Sequence, residues 1–291
     1  MKLSVIIVTY NSIQLIKDCI DSVFQYNDLP DDELEIIVVD NSPEEEGEKL
    51  RLFLEKNYQD RVRFIKNENL GYGHGNNVGI KASTGDILAI MNPDVRLMEP
   101  LYQKAFTHFL EDRKIASVGF QQKNGFSDYS YFENPEFFVP VFSSLLLKRA
   151  NKMQNFNPKK HYLSGAFVFF RKEDFQKIGL YDEAFFMYFE EPDVANRLQK
   201  AGKKSIFDPS RSYVHLIEVK DDYNVKLLDI GTESILMYFK KFNFDVKSYL
   251  RKRIFELHMY NLFFLLTGNK RRRETAQAYI KTLSTALNEK L

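Results

Sequence analysis

Two acids stand where short apolar runs stop. Ile87-Leu88-Ala89-Ile90-Met91 carries no charge and leads into Asn92-Pro93-Asp94, and Glu35-Ile36-Ile37-Val38-Val39 ends in Asp40. Short apolar runs rich in β-branched residues read as strands buried on both faces of a sheet, and Pro93 cannot continue a central ladder. Ligands of open α/β sheets bind beyond the carboxyl ends of the strands, so Asp94 is suited to anchor a metal-bound phosphate. Asn, Pro and Asp also favour turns in any protein, so the tripeptide alone does not separate the two readings. A second acidic group, Glu190-Glu191-Pro192-Asp193, opens a helical pattern. Pro192 suits the first helical position, Val194, Ala195, Leu198 and Ala201 form the apolar face, and Gly202 is the stop. Acids there either take up a proton from a substrate or simply offset the helix dipole, and Asp193 is spaced to pair with Arg197.

Between these acids lies Asn67-Glu68-Asn69-Leu70-Gly71-Tyr72-Gly73-His74-Gly75-Asn76-Asn77-Val78-Gly79-Ile80. Alternate glycines let a backbone approach a ligand, and Asn76-Asn77 reads as the cap of a helix whose amino end attracts anions. The spacing of Gly71, Gly73 and Gly75 after a third apolar run matches neither a dinucleotide fingerprint nor a triphosphate loop. His74 by itself reads as a surface histidine.

The elements that must position these groups follow from periodicity. Leu3 to Thr9 is a strand, and Asn11 with Gln14 resembles a capping box for a helix whose core face is Ile13, Ile16, Ile20, Val23 and Phe24. Glu35 to Asp40 is the next strand, Glu44 to Lys56 a helix, and Val62 to Ile65 a third strand. Alternation of this kind predicts a parallel sheet covered on both faces, and right-handed crossovers bring Thr9-Tyr10, Asp40-Asn41, Asn67 and Asn92 to Asp94 onto one edge. Farther on, Leu101 to Leu110 reads as a helix and Ile115 to Phe120 as a strand. Gln121 to Lys160 reads as a long polar-aromatic connection, with Phe126, Tyr129, Phe132 and Phe137 among its rings, before His161 to Arg171 returns to strand.

Bulk properties narrow the class. The 291 residues are 44% hydrophobic, enough for one large core with or without an appendage. A net charge of +1 gives no support for a nucleic-acid partner. Cys19 is the single cysteine, which excludes an internal disulfide framework and a multi-cysteine metal site. The chain starts with strand-like sequence rather than a basic-apolar leader, and no apolar run approaches the ~20 residues that span a bilayer. A cytoplasmic location is therefore expected. From Leu227 to Leu291 the pattern is helical, with Arg251-Lys252-Arg253 and Lys270-Arg271-Arg272-Arg273 around the apolar stretch Leu257 to Leu266. Such a helix suits the inner face of an anionic membrane, or packs on the catalytic domain or on a second copy in a homodimer.

Taken jointly, Ser4 to Asn11, Val38-Val39-Asp40-Asn41-Ser42, Asn69-Leu70-Gly71-Tyr72-Gly73 through Gly79, and Asn92-Pro93-Asp94 resemble family-2 glycosyltransferases of the GT-A fold. They are most similar to the rhamnosyltransferase-like branch that builds bacterial surface polysaccharides. The resemblance covers residues 3 to 215. It implies an α/β fold with a mostly parallel, Rossmann-like sheet in a nucleotide-sugar domain, residues 1–215, followed by a helical appendage, residues 216–291.

The resemblance also implies roles. Thr9, Tyr10, Asn11 and Asp40 hold the base and ribose, with Asn69, Gly71, Asn76, Asn77 and Asn92 also on the nucleotide side. Asp94 binds a divalent cation, Mg²⁺ or Mn²⁺, on the diphosphate, with His215 nearby. Gly165-Ala166, the strand after it and the basic Arg171 form the acceptor-side wall, shared with Glu190 and Asp193. Glu191 is the general base. Two positions depart from the family pattern: Asn92 and Glu191 stand where aspartates are usual. The implied reaction is an inverting transfer from dTDP-rhamnose or a UDP-sugar to a glycan or a lipid-linked acceptor. The alternatives are a sugar nucleotidyltransferase and a catalytically degenerate carbohydrate-binding scaffold. The first normally carries a Gly-rich loop with Lys or Arg after its first strand, which Thr9-Tyr10-Asn11-Ser12 lacks; Asn92 and Glu191 are the only support for the second.

Overall fold

The computed structural model describes residues 1–123, 128–216 and 225–289. The amino-terminal half alternates strand and helix as the pattern requires: β1 (Leu3–Thr9), α1 (Ile13–Gln25), β2 (Leu34–Asp40), α2 (Glu44–Tyr58), β3 (Arg63–Lys66), α3 (Tyr72–Ala82) and β4 (Ile87–Met91). Then come β5 (Val95–Leu97), α4 (Tyr102–Glu111), β6 (Ile115–Lys123), β7 (Tyr131–Glu133) and α5 (Phe142–Lys152). The chain continues through β8 (His161–Leu163), β9 (Phe167–Arg171), α6 (Lys172–Lys177), α7 (Glu190–Lys200) and β10 (Lys204–His215). Three helices, α8 (Val225–Phe242), α9 (Val246–Leu266) and α10 (Lys270–Glu289), close it.

One eight-stranded sheet runs in the order β3-β2-β1-β4-β9-β6-β10-β5. β1 lies between β2 and β4, parallel to both, with Thr9 opposite Asp40 and Ile7 opposite Met91. The carboxyl ends of these strands therefore share one edge at a point where the strand order switches, where such sheets bind ligands. The antiparallel strand β9 continues the sheet beyond β4, and β10 pairs antiparallel with β5 so that His215 faces Val95. That last pairing carries a residue from the end of the domain to the loop that holds Asp94.

Several local expectations change. α1 starts at Ile13 with Ser12 before it and no side-chain cap, and Asn11 is left-handed at φ 52°, so the Asn11–Gln14 capping box does not form. α3 starts at Tyr72, which puts Asn76 and Asn77 in its second turn rather than at its cap. Its glycines serve close packing: a Cβ on Gly79 would lie 2.5 Å from Ile6, and one on Gly71, at φ 113°, would lie 2.4 Å from the Phe186 carbonyl. α7 starts at Glu190, so Pro192 is the third helical residue, not the first. Within the segment 121–160 the chain forms β7 and α5, with β7 paired to β8, so it is not an unstructured connection; Phe126 lies outside the described residues.

The carboxyl-terminal helices pack on the sheet domain through a core that includes Phe185, Tyr238, Phe239, Leu250, Leu257 and Leu283. Tyr238 donates to Glu136 Oε2 at 2.8 Å, and Lys241 Nζ lies 2.7 Å from Asp182. Phe255, Met259, Leu262, Phe263 and Leu266 on α9 stay exposed. Among the described residues no helix is long and apolar enough to cross a membrane.

Candidate active site

On the strand-end edge, Thr9 Oγ1 and Ser42 Oγ both donate to Asp40 Oδ1, at 2.9 and 2.6 Å. Asp40 is fully buried, and its Oδ2 has no hydrogen-bond partner, with Lys66 Nζ 3.7 Å away. A buried carboxylate is tolerated only with such donors and a nearby cation. The Asn11 amide donates to Ser42 Oγ at 2.8 Å, tying the loop after β1 to the loop after β2. Above them opens a cleft of about 590 Å³ lined by Tyr10, Asn41, Ser42, Lys66, Asn67 and Asn69 among others. Tyr10 is 53% exposed, an aromatic residue on the cleft wall of the kind on which a planar base can stack.

On the same strand-end edge, beyond β4, His215 Nε2 lies 3.3 Å from Asp94 Oδ1, and the Leu216 amide donates to the Asp94 carbonyl at 2.9 Å. Both side chains keep some exposure, and His215 Nδ1 is buried without a partner. No cluster of three or more His, Cys, Asp or Glu able to hold a metal occurs among the described residues. One carboxylate oxygen and one imidazole nitrogen fit a divalent cation whose remaining ligands come from phosphate and water, and the nitrogen suits Mn²⁺ better than oxygen-preferring Mg²⁺.

Tyr72, at the first position of α3, links Asn92, two residues before Asp94, to the segment that lies against Glu191 of α7. Its hydroxyl is 3.1 Å from Asn92 Oδ1 and 3.2 Å from the Gly165 carbonyl, and the Asn92 amide donates to the Ala166 carbonyl at 2.8 Å. Gly165 in turn lies against the Glu191 carboxylate, since a Cβ there would sit 2.2 Å from Glu191 Oε1. Burial, then the charges of Glu191, Glu190 and Asp94, push the Tyr72 phenol up. Burial also raises Glu191, against the opposing pull of its own helix N–H. Glu190, 1% exposed with Oε1 unpartnered, is driven well above the usual carboxylate range by burial and then by the charge of Glu191.

Tyr10 and Asn69 thus line the cleft while Thr9 and Asp40 are buried and joined to its Ser42, Asp94 meets His215, and Asn92, Gly165, Ala166 and Glu191 join through Tyr72. Four residues stand apart. Asn77 is buried and binds the Tyr181 backbone in both directions, at 2.9 and 3.1 Å, so it braces α3 against that loop. Asn76 is buried and donates to the Tyr72 carbonyl at 3.0 Å. Asp193 is buried in ion pairs with Arg197 and Lys241. Arg171 lies opposite Ile87, at the far end of β4 from Asp94, and donates to the Phe109 carbonyl at 2.6 Å, so it forms no part of an acceptor wall. Sequence reasoning missed Ser42, Lys66 and Tyr72. Ser42 and Lys66 adjoin the singled-out Asp40-Asn41 and Asn67, and Tyr72 stands inside the glycine motif that carries the resemblance, where its position between Gly71 and Gly73 is the available signal.

The match to the family described as Glycosyl transferase family 2 covers residues 4–179. The low-salt glycan biosynthesis hexosyltransferase Agl10 of Haloferax volcanii is 29% identical over 206 residues, 68% of this chain and 62% of that protein. The N-acetylglucosaminyl-diphospho-decaprenol L-rhamnosyltransferase of Mycobacterium tuberculosis is 41% identical over 54 residues, 19% of this chain and 18% of that one. The chain thus spans less than two thirds of either relative's length. The mannosyltransferase PcManGT from Pyrobaculum calidifontis, solved with GDP-Man and Mn²⁺, superposes with a TM-score of 0.64 at 18% identity. That superposition covers 99% of this chain and 87% of the mannosyltransferase, a likeness of GT-A fold. With the strand-end cleft on a sheet of that fold, and a family match over more than half of its length, the chain belongs to glycosyl transferase family 2.

Proposed function

We propose that the protein transfers a hexose or deoxyhexose, with inversion, from a nucleoside-diphosphate donor to a glycan or lipid-linked acceptor of bacterial surface polysaccharide. The observation that carries this reading is the Tyr72 bridge, whose hydroxyl reaches Asn92, two residues before Asp94, and the Gly165 carbonyl, against which the buried Glu191 carboxylate lies. In the reaction an acceptor hydroxyl attacks the anomeric carbon, its proton passes to Glu191, and the bond to the diphosphate breaks with its electron pair leaving on the diphosphate. Asp94 and His215 would hold the divalent cation, which when bound neutralises charge on that leaving group. Asn92 offers a neutral amide oxygen already facing the Tyr72 hydroxyl, so the site has one carboxylate fewer than the usual family motif. The cleft lined by Tyr10, Ser42 and Asn69 receives the nucleoside, and the buried Thr9–Asp40 pair holds Ser42 in place at its edge.

The donor order, dTDP-rhamnose before UDP-sugars, follows the rhamnosyltransferase relative, whose name also carries a diphosphate-linked lipid acceptor. Family membership sets aside the nucleotidyltransferase alternative. We divide the chain into a nucleotide-sugar domain, residues 1–215, and a helical region, residues 216–291, that meets the acceptor and an anionic membrane on the cytoplasmic side. The exposed apolar residues of α9 and the basic start of α10 support that contact, while the twin-subunit reading draws on the same residues. A thermal-shift screen of dTDP-, UDP- and GDP-sugars with and without Mn²⁺ tests the function. One donor should raise the melting temperature only with the cation; no shift with any donor overturns the reading.

A further inference from the structure

A cavity of about 360 Å³ opens between the start of α7 and the helices α8 and α10. Its volume is in the range of small-molecule sites. Among the described residues lining it, Glu191 alone is charged, and the rings of Tyr162, Tyr188 and Tyr279 supply aromatic surface from three separate elements. α8 turns Leu228, Gly231 and Ile235 toward it, residues spaced to share one helix face. The same helix also holds the entry to α7. Tyr188 and Phe189 are both left-handed at φ 72°, and Ser234 Oγ donates to the Met187 carbonyl at 2.9 Å while Phe189 packs on Tyr238.

We propose that this cavity is the acceptor subsite and that it takes a saccharide ring, with the C–H face of the ring stacked on the tyrosines and one hydroxyl at Glu191. The proposal rests on the transferase reading above. A single carboxylate in an apolar, aromatic chamber matches an amphipathic ring that must present one hydroxyl to a base. An alkyl chain would leave that carboxylate desolvated and unpaired. The acceptor site is then a joint construction, with Glu191 from the sheet domain and the roof from the carboxyl-terminal helices.

Gly231 gives the test. A Cβ there meets only the Tyr188 ring, at 3.7 Å, an ordinary contact, so Gly231→Leu projects its branch into the cavity without striking backbone. Glycine is also a poor residue for a helix interior, so the substitution does not endanger α8. Binding is read by saturation-transfer NMR in the full chain. The probes are the p-nitrophenyl glycosides of N-acetyl-β-glucosamine, β-glucose and α-rhamnose, and UDP, dTDP and GDP with Mn²⁺ report on the donor cleft. At least one glycoside should bind the wild type through its ring protons, and bind about tenfold or more weakly in both Gly231→Leu and Tyr279→Ala. Nucleotide affinity should stay unchanged in both variants. Equal glycoside affinity in the variants, or nucleotide binding with no glycoside binding, overturns the cavity assignment and leaves the transferase reading standing. Failure of every nucleotide and every glycoside removes both.

Discussion

The proposed donor edge and the proposed acceptor wall handle buried acid in opposite ways. At the donor edge Asp40 receives two hydroxyl donors on one oxygen with Lys66 nearby, and Asp94 stands beside an imidazole. At the acceptor wall Glu190 and Glu191 have apolar surroundings and, for Glu190, the charge of its neighbour, and both are pushed toward protonation. Donors and cations stabilise a carboxylate's charge, whereas burial and like charge favour its neutral form. One region thus surrounds its acids with hydroxyl donors, a lysine and an imidazole, and the other pushes its acids toward the protonated form. The difference gives each region its own sensitivity to mutation.

The sharpest break of this contrast is Asp94→Ala. It removes the only carboxylate of the pair, and transfer should fall below detection while the circular dichroism spectrum is retained. Full activity in the variant, or in excess chelator, would take Asp94 out of the mechanism. Asn92→Asp should keep transfer and tighten Mn²⁺ binding by titration. At the acceptor wall, Glu191→Gln should lose about 10²- to 10⁴-fold in kcat with donor affinity kept, the usual contribution of a positioned base. The sign of the pH effect follows from the raised carboxyl. The base works only when deprotonated, so wild-type kcat should climb as pH rises through a value above the ordinary carboxylate range. That limb should vanish in Glu191→Gln. A variant with normal turnover, while Glu190→Gln is dead, would move the base assignment to Glu190.

The same contrast explains what is legible in the sequence. The donor edge is local: Thr9, Asp40, Asn69 and Asp94 follow strand ends that β-branched runs announce, and parallel crossovers leave little freedom in where those ends meet. Long-range parts are harder. His215 is reached through resemblance, but the β10–β5 pairing that delivers it has no signal in the spacing. Asn77 reads as a cap because a polar residue after glycines suits one, whereas tertiary packing lengthens α3 backward to Tyr72 and turns Asn77 inward. Pro192 reads as the helix start for a similar reason, and two left-handed residues begin the helix earlier. The proposed role of α8 as a roof depends on contacts between residues far apart in the chain, such as Gly231 with Tyr188, and local patterns do not encode these.

A gentler variant probes the joint between the two regions. Tyr72→Phe removes a hydroxyl within reach of Asn92 and Gly165 and leaves the ring on Tyr181, 6.2 Å between centroids. If the bridge positions the two halves, kcat should fall about tenfold, the cost of roughly one hydrogen bond, with the melting temperature nearly constant. An unchanged kcat would show that the two regions are set independently.

The smallest effect is on stability, and it tests the acceptor wall without any substrate. Glu190 binds its proton more tightly in the folded chain than an ordinary carboxyl does. Below the unfolded value both states are protonated and the group costs nothing. As pH rises from that value toward the raised folded one, the unfolded chain releases the proton first, so folding stability falls, and above the folded value the loss is complete. Glu190→Gln keeps the shape and removes the titration. Its melting temperature should therefore exceed that of the wild type by a few degrees near pH 8, where about 1 kcal/mol corresponds to roughly 2–4 °C in a chain of this size class, and match it near pH 4. The donor edge offers no such gain, because Asp40 already has its donors in the folded state and loses them on substitution. A gain of equal size at both pH values would mean that the introduced amide packs better for reasons unrelated to charge, and no gain at pH 8 would mean that the acid pair is relieved in solution by a partner absent from its buried surroundings.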